Sequence, residues 1–524
     1  MSIRYLSSFV ALLISLNGAA SLHAQTGANT LTWHNDIART GANRAETILA
    51  LTNVSANTFG KTGFITTDGV VDAQPLYVAD LKIGGASHNV LFVATEHDTV
   101  YAFDAVNGAT LWKTSLLQAG ETPSDDQGCG AITPEIGITS TPVIDLSEGP
   151  NGAIYVVSMT KDSSSNYHQR INALDLTTGA QLFGGPTPIT AEYRSGTNTV
   201  TFSPGQYAER SGLLEWQGSI YTAWTSHCDN PPYQGWIIAY GASTLTQTQV
   251  LNITPNGSEG AVWMSGAGLA ATPTKILFLD GNGTFDTTLD SNGFPASHDF
   301  GNAFIEINFD PKEKLQIPDY YATDTTVQQS NSDVDLGSGG VIALPGIYDN
   351  SGNVHQLAVG AGKDTNIYLV DRTNMGKYHP NGGYIYQVLS GALPNGEYGA
   401  PAYFNNEIYY AGTGDYLKAF GFSNAQLVST PVSQSANTFA SHGATPVISS
   451  NGATNGIVWA ISPASTAVLY AYNAGDLSLE LYDSSQSGSR DEFGSVGHFI
   501  TPLVANGRVY VPTLTGVAVF GLLK

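Results

Sequence analysis

The feature that most constrains this 524-residue chain is a segment that occurs eight times, in which small residues lead into a short hydrophobic strand. The five clearest copies contain Pro75, Pro142, Pro401, Pro446 and Pro502. Three further copies lack the proline: Ser211-Gly212-Leu213-Leu214, Gly266-Ala267-Gly268-Leu269 and Gly339-Gly340-Val341-Ile342. Pro75 and Pro142 are 67 residues apart, about the length of a four-stranded propeller blade with its loops. The repeats predict an all-β, eight-bladed β-propeller of antiparallel blades.

A hairpin pattern follows each repeat, and it is clearest at Val100-Tyr101-Ala102-Phe103-Asp104, with Gly108 and Trp112 after it. Alternating apolar residues followed by an Asp-to-Gly turn are typical of a β-hairpin. The last unit ends with the chain, at Val517-Ala518-Val519-Phe520, before a fourth strand can form. We therefore expect a strand from segment 25–70 to complete that blade and to close a propeller formed by 71–524, which removes the exposed sheet edge.

The first 24 residues have the pattern of a signal peptide. They combine Arg4, an apolar run from Phe9 to Ile14 and a small-residue end at Ala24. The apolar run is too short to span a bilayer, and no later stretch reaches about 18 apolar residues. We expect a periplasmic or secreted protein that does not span the membrane.

Charge excludes two classes of partner. The chain has 20 Lys and Arg against 43 Asp and Glu, a net charge of −23. Such a chain repels nucleic acid and anionic membranes. Partners of other chemistry remain: a small hydroxylated substrate, a protein or a glycan.

At this point the chain resembles a family, the eight-bladed propellers of quinoprotein alcohol dehydrogenases, which use pyrroloquinoline quinone (PQQ). The hairpin from Tyr101 to Trp112 resembles that family's tryptophan-docking motif. The likeness runs from about Val71 to the C-terminus and weakens after Tyr378. It implies a PQQ cofactor with Ca²⁺ and the oxidation of an alcohol or sugar.

The fourth and fifth units hold the residues that match this family's site. Trp263 resembles the indole on which the quinone stacks, and Asn282, in a Gly-Asn-Gly turn, resembles a calcium ligand. Asp333 and Asp335 resemble the catalytic and calcium-binding aspartates, so we assign the general base to Asp333 and the metal to Asp335. A core tryptophan, a turn asparagine and a solvated acidic turn are the structural alternatives.

The best single match is Gly362-Lys363-Asp364 with the strand that follows it, ending in Asp371-Arg372. The family counterpart of Lys363 hydrogen-bonds the quinone oxygens, and a lysine suits that role because it is a compact cation. A hairpin-turn lysine is the alternative.

Three departures from the family pattern stand beside these matches. The family's adjacent cysteine pair is replaced by Cys129 alone. Its cofactor-binding arginine falls near Gly137-Ile138-Thr139, which contains no arginine. Its calcium-binding glutamate falls in Thr225-Ser226-His227-Cys228-Asp229, where only Asp229 could substitute.

A second candidate cluster comes from the spacing of the last three prolines. Glu397, His442 and His498 each lie four residues before one of these prolines. Equal offsets on consecutive blades place them at similar heights around the propeller axis, as a divalent-metal site, a proton relay or simple polar caps.

Two function classes therefore remain open. The first is a PQQ- and Ca²⁺-dependent oxidoreductase, favoured by the residues matched above. The second is a non-catalytic propeller that binds a protein or glycan through its loops or funnel, favoured by the missing arginine and cysteine pair.

The two cysteines, Cys129 and Cys228, generate a testable prediction. Export favours a disulfide between them, and free thiols are the alternative. A non-reduced digest analysed by mass spectrometry should contain the two peptides linked. The double Cys→Ser variant should unfold more easily, because a bridge across a loop of this length contributes on the order of 4 kcal/mol. Alkylation of both thiols without reduction would contradict the prediction.

Overall fold

A computed structural model describes residues 29–309, 314–440, 442–464 and 466–524. The predicted signal peptide, 1–24, lies outside the described residues. The chain forms an eight-bladed β-propeller, as the repeats predicted, and each blade is an antiparallel four-stranded sheet with short additions.

The first four blades follow the chain in order, each from its inner to its outer strand. Their strands are, for blade 1, Leu76–Ile83, Ala86–Thr95, Thr99–Asp104 and Thr110–Ser115; for blade 2, Val143–Asp145, Ala153–Asp162, Tyr167–Asp175 and Thr187–Pro188; for blade 3, Leu214–Trp216, Ser219–Ser226, Trp236–Gly241 and Gln247–Asn252; for blade 4, Ala270–Ala271, Ile276–Leu279, Phe304–Asn308 and Gln316–Tyr321.

The other four blades continue around the ring, and the last takes its outer strand from the N-terminal part of the chain. Their strands are, for blade 5, Val341–Ala343, Leu357–Ala361, Ile367–Asp371 and Gln387–Leu389; for blade 6, Ala402–Phe404, Glu407–Ala411, Asp415–Ser423 and Ser433–Phe439; for blade 7, Val447–Asn451, Thr454–Ser462, Val468–Asn473 and Glu480–Asp483; for blade 8, Leu503–Ala505, Arg508–Thr513, Gly516–Leu522 and Phe59–Thr66.

Short elements lie outside these four-stranded frames. The additional strands are Ala42–Asn43, Glu121–Asp125, Glu135–Ile136, Glu192–Ser195, Asn198–Thr201, Tyr207–Glu209, Ile347–Tyr348, Val354–His355 and Gln426–Leu427. The helical turns are Thr326–Asn331 (α) and Met264–Gly266, Leu336–Ser338 and Ser484–Arg490 (3₁₀). No helix in the described part of the chain is long and apolar enough to cross a membrane.

The ring closes where the sequence predicted. Phe59–Thr66 pairs antiparallel with the C-terminal strand Gly516–Leu522. Phe59 begins this closing strand, and its ring lies 5.3 Å from that of Trp459 in blade 7 and 6.3 Å from that of Phe520 in blade 8. Closure therefore buries an aromatic cluster and pairs the edge of the last sheet.

The tryptophan of the first hairpin also docks as its pattern indicated. The Trp112 indole N–H donates to the carbonyl oxygen of Leu176 on blade 2, at 2.9 Å. The indole covers Gly179, where a Cβ atom would lie 2.6 Å from Trp112 Cε3 and where φ is +68°. Glycine is required at this position for both reasons.

Segment 29–46 forms a feature that the repeats did not predict. It runs around the inside of the propeller and hydrogen-bonds to each blade in turn. The contacts, from blade 1 to blade 8, are Tyr77 N to Thr30 O (2.9 Å), Ile144 N to Leu31 O (2.8 Å), Arg39 Nη2 to Leu213 O (3.2 Å), Ala271 N to Ile37 O (2.6 Å), Ala343 N to Ala38 O (3.0 Å), Tyr403 N to Thr40 O (2.8 Å), Ile448 N to Gly41 O (2.7 Å) and Asn43 Nδ2 to Val504 O (2.9 Å).

Arg39 anchors this inner segment and is fully buried. Its guanidinium donates to carbonyl oxygens on two blades and to Thr32 and Trp33 in its own segment.

Because Arg39→Met would leave these buried acceptors without donors, we expect it to lower the free energy of unfolding by about 3 kcal/mol. Urea unfolding measures this change. The matched control is Arg44→Met at an exposed position, where a loss below about 1 kcal/mol is expected. Equal losses in the two variants would contradict the role of Arg39.

Candidate functional site

A cavity of about 360 Å³ lies at the propeller axis. Six of the residues singled out from the sequence line it: Trp263, Asn282, Asp335, Lys363, His442 and His498. Ligand sites are typically concave and of about 300–1,000 Å³. The volume therefore suits a small organic molecule.

An acid–lysine centre occupies the side of this cavity formed by blades 4 and 5. Asn282 Nδ2 donates to Asp333 Oδ1 at 2.7 Å, and the Lys363 ammonium donates to the same oxygen. Lys363 Nζ also lies 2.9 Å from Asp335 Oδ1. The Asp333 side chain is 68% exposed and that of Asp335 only 3%. The structure thus brings these four predicted residues together.

The backbone that carries Asp333 and Asp335 is a turn and not an extended strand, in which alternate residues would also point the same way. A short helix, Thr326–Asn331, ends just before Asp333, and Asp333 itself has φ of +55°. A 3₁₀ turn begins at Leu336. The two carboxylates reach the same ammonium because of this left-handed turn, and strand alternation is not the cause.

The electrostatics of the centre keep Lys363 charged. Burial opposes the charge, but the attraction of Asp335 and the hydrogen bonds to both carboxylates outweigh it and raise the pKa of the lysine. Burial raises the pKa of Asp335, and the lysine partly offsets that rise.

The Trp263 indole approaches the same centre across Gly281. A Cβ atom on Gly281 would lie 2.9 Å from Trp263 Cδ1 and 3.2 Å from Asp335 Oδ2. Met264 and Ser265 follow the tryptophan in left-handed conformations, with φ of 40° and 49°. Such backbone is strained for non-glycine residues and is concentrated at functional sites.

The oxygen atoms at this centre suit a hard cation. Asn282 Oδ1 is buried without a hydrogen-bond partner among the described residues, and it lies beside the carboxylates. An amide oxygen and a carboxylate are ligands that Ca²⁺ prefers. Within the ranges that the structure describes, no three His, Cys, Asp or Glu side chains are grouped to hold a metal. A cation here would be held by the Asn282 amide oxygen and the Asp335 carboxylate, with its remaining ligands supplied by bound molecules.

The second predicted cluster is only partly assembled. The rings of His442 and His498 lie 5.3 Å apart, and Tyr398 packs 4.9 Å from His442. Glu397 is buried and does not line the cavity; its Oε1 accepts from Gly399 N at 2.6 Å. The two histidine rings are therefore adjacent in the cavity, but Glu397 is not part of the cluster.

The cavity also holds cationic and aromatic residues that sequence reasoning missed. Arg210, Tyr398 and Phe499 each lie four residues before the first residue of an inner strand, in blades 3, 6 and 8. His442 and His498 were identified by counting four residues back from a proline. Counting four residues back from the first strand residue, and including blade 3, whose inner strand lacks the proline, would have identified all three.

Arg210 changes the comparison with the family pattern. The segment Gly137-Ile138-Thr139 before the inner strand of blade 2 has no arginine, but blade 3 places this one in the cavity, with its guanidinium 4.9 Å from the centre of the Phe499 ring. It has no hydrogen bond to another described residue, and burial lowers its pKa against the opposing attraction of Asp72 and Glu96. A guanidinium with free donors facing a cavity suits an anionic ligand.

The predicted disulfide is present. Cys129 and Cys228 are bonded, with their Cα atoms 5.6 Å apart, and they join loops of blades 2 and 3. A second cavity of about 210 Å³ lies beside the bond. It shares Ala131, Arg210, Asp229 and Trp263 with the central cavity, so the two cavities are adjacent.

Comparison with known proteins gives likeness in structure only, since no protein-family model and no curated protein matches the sequence. The quinohemoprotein alcohol dehydrogenase of Comamonas testosteroni is similar with a TM-score of 0.59 and 14% identity, over 94% of this chain and 80% of that one. A quinohemoprotein alcohol dehydrogenase of Pseudomonas putida gives 0.59 and 13%, over 95% and 80%. A europium-containing methanol dehydrogenase gives 0.58 and 13%, over 95% and 99%.

These likenesses establish the fold as that of the quinoprotein alcohol dehydrogenases, which is the architecture that the repeats and the docked tryptophan indicated. At such identity they establish the fold alone, since one fold hosts many functions.

Two buried glutamates beneath the cavity rim generate a prediction on pH. Glu209 and Glu397 occupy the same offset before their inner strands, and burial raises the pKa of each from 4.5 to about 8. The folded protein favours the neutral form of both carboxyl groups. Their contribution to the free energy of unfolding is therefore complete below pH 4.5 and is lost as the pH rises toward 8. The Glu209→Gln, Glu397→Gln variant should match the parent in urea unfolding at pH 4 and be more stable at pH 8.

The size of this effect reaches about 1.4 kcal/mol per pH unit for each carboxyl. Glu492→Gln, at an exposed position, is the control and should follow the parent at every pH. Parallel stability curves for the parent and the double variant between pH 5 and 8 would contradict the assignment.

Proposed function

We propose that this protein is a PQQ-dependent oxidoreductase that binds the quinone in its central cavity and oxidises the hydroxyl group of a small substrate. The observation that carries the proposal is the joint presence, in one cavity, of the Trp263 indole, the Lys363 ammonium and the Arg210 guanidinium. A chain of net charge −23 places two cations there. A planar anion is the ligand that such a set recognises.

The residues present fit the quinone. The indole of Trp263 would hold the flat ring system, and Arg210 would pair with a carboxylate of the cofactor. Lys363, whose pKa is raised, would stabilise negative charge on the bound quinone. Arg210 thereby supplies, from blade 3, the cation that the family pattern places on blade 2.

Ca²⁺ belongs to the same proposal. Asn282 would hold it through its unpartnered amide oxygen, and Asp335 would hold it through its carboxylate. When bound, the quinone accepts the two electrons of the oxidation and the metal polarises a quinone oxygen.

Asp333 acts as the general base. One of its oxygens is fixed by Asn282 and Lys363, while the side chain as a whole is exposed. The other oxygen can therefore accept a hydroxyl proton as the substrate is oxidised. The two donors hold the carboxylate in one orientation, so it does not have to reorganise during the transfer.

The test is reconstitution with PQQ and Ca²⁺, followed by calorimetric binding and by dye reduction over a panel of alcohols and sugars. Trp263→Ala, Lys363→Ala and Arg210→Ala should each weaken quinone binding at least tenfold. Asp333→Asn should keep binding within about threefold but lower kcat by about 10²–10⁴-fold, as expected for loss of a general base.

Lys82→Ala and Arg194→Ala remove exposed cations elsewhere on the surface and should leave quinone affinity unchanged. If the protein binds no quinone at millimolar Ca²⁺, the proposal fails, and a non-catalytic propeller that binds a protein or glycan is then the better account.

A further inference from the structure

We propose that the second cavity, here called the side chamber, receives the hydrocarbon part of the substrate, so that the preferred substrate is an alcohol with an apolar tail and not a sugar. This inference rests on the proposed function and specifies its substrate class. The chamber adjoins the central cavity at Ala131, Arg210, Asp229 and Trp263, which line both. A substrate whose hydroxyl lies in the cavity can thus extend its tail into the chamber.

The wall of the chamber is built from an apolar cluster of its own. Ile132 and Ile136 pack with Met159 in a cluster separate from the cores between the blades, and all three are buried. Ile132 and Ile136 belong to the insertion that leads from blade 1 into blade 2 and line the chamber, whereas Met159 lies in the second strand of blade 2 and packs behind them.

The disulfide holds this wall in place. Cys129 lies in the loop of the same insertion, and Cys228 lies in an exposed loop of blade 3. Both line the chamber. The covalent bond therefore fixes an apolar wall from one blade against its neighbour and keeps the chamber open between them.

The wall offers few polar groups to sugar hydroxyls. The hydroxyl oxygens of Thr225 and Ser226 are buried and have no hydrogen-bond partner among the described residues. Thr139 donates its hydroxyl to Glu96 at 3.0 Å. A sugar placed here would have more hydroxyl groups than these side chains can pair, and each unpaired polar group opposes binding.

Charge is likewise confined to the neck. The His227 ring lies 3.2 Å from the carbonyl oxygen of Tyr207, and burial lowers its pKa to about 4, so it is neutral. Arg210 and Asp229 stand where the chamber joins the cavity, and Asp229 accepts from the Tyr233 hydroxyl at 2.8 Å. The far part of the chamber is thus uncharged and largely hydrocarbon.

The experiment measures binding of 1-propanol to 1-octanol to the quinone-free protein by calorimetry, with glucose and glycerol as polar ligands. Affinity should rise about fourfold for each added methylene until the chamber is full, and the polar ligands should give no heat. Ile136→Phe should end the rise at a shorter alcohol, and Ile136→Ala should extend it. Val106→Ala, at an exposed position that lines neither cavity, is the control and should keep the parent series.

Ala131→Phe at the exposed neck is a second variant that does not alter a buried position. It should reduce the affinity of long alcohols at least tenfold. Alcohol affinity that is independent of chain length, or unchanged by both Phe variants while circular dichroism shows a folded protein, overturns the side chamber.

The same series separates this inference from the proposed function. A chain-length series in binding without dye reduction after reconstitution supports the side chamber and removes the oxidoreductase. Dye reduction whose kcat/KM is the same for short and long alcohols, or higher for sugars, supports the oxidoreductase and removes the side chamber.

Discussion

The hydrogen bonds between segment 29–46 and all eight blades are the constraint on which the rest of the structure depends. Each blade is an ordinary antiparallel sheet, and nothing within a sheet fixes how far it is rotated about the propeller axis. The inner segment removes that freedom, since Thr30, Leu31, Ala38, Thr40 and Gly41 each pair with a different blade. Arg210, Tyr398 and Phe499, at one offset before the inner strands of blades 3, 6 and 8, all line the central cavity.

Much of the fold was predictable because it is periodic. The repeated small residues before an apolar run mark each inner strand, and the short last unit requires a strand from elsewhere, which Phe59–Thr66 supplies. The inner segment was not predictable for the opposite reason. The intervals between its residues that contact successive blades are irregular, so it has no period, and its anchor Arg39 is a buried cation of a kind that composition does not reveal.

In the candidate site too, the residues that follow a sequence pattern were predicted and the others were not. Asn282, Asp333, Asp335 and Lys363 could be singled out because they lie close in sequence to strands with a family pattern, and the structure places them within one hydrogen-bonded group. Arg210 was not predicted from the sequence, because its strand lacks the proline marker and because the family pattern places the arginine on another blade. The side chamber was not predicted from the sequence, because the two Ile residues of its wall belong to an insertion outside the repeats.

The residues four and five positions before an inner strand are here called the rim, and in blades 3 and 6 they have different roles: one faces the cavity and the other is buried in the fold. This difference explains how a propeller can keep its fold while its chemistry changes. In blade 3, Glu209 is buried and structural, whereas the next residue, Arg210, faces the cavity. Glu397 and Tyr398 divide the tasks in the same way in blade 6. In blade 7 the order is altered because His442 has φ of +73°, and its ring enters the cavity. Since a rim side chain contacts the cavity and not the blade core, it can be replaced without repacking a sheet. The blades determine where eight rim positions stand, and the residues at those positions determine what the cavity binds.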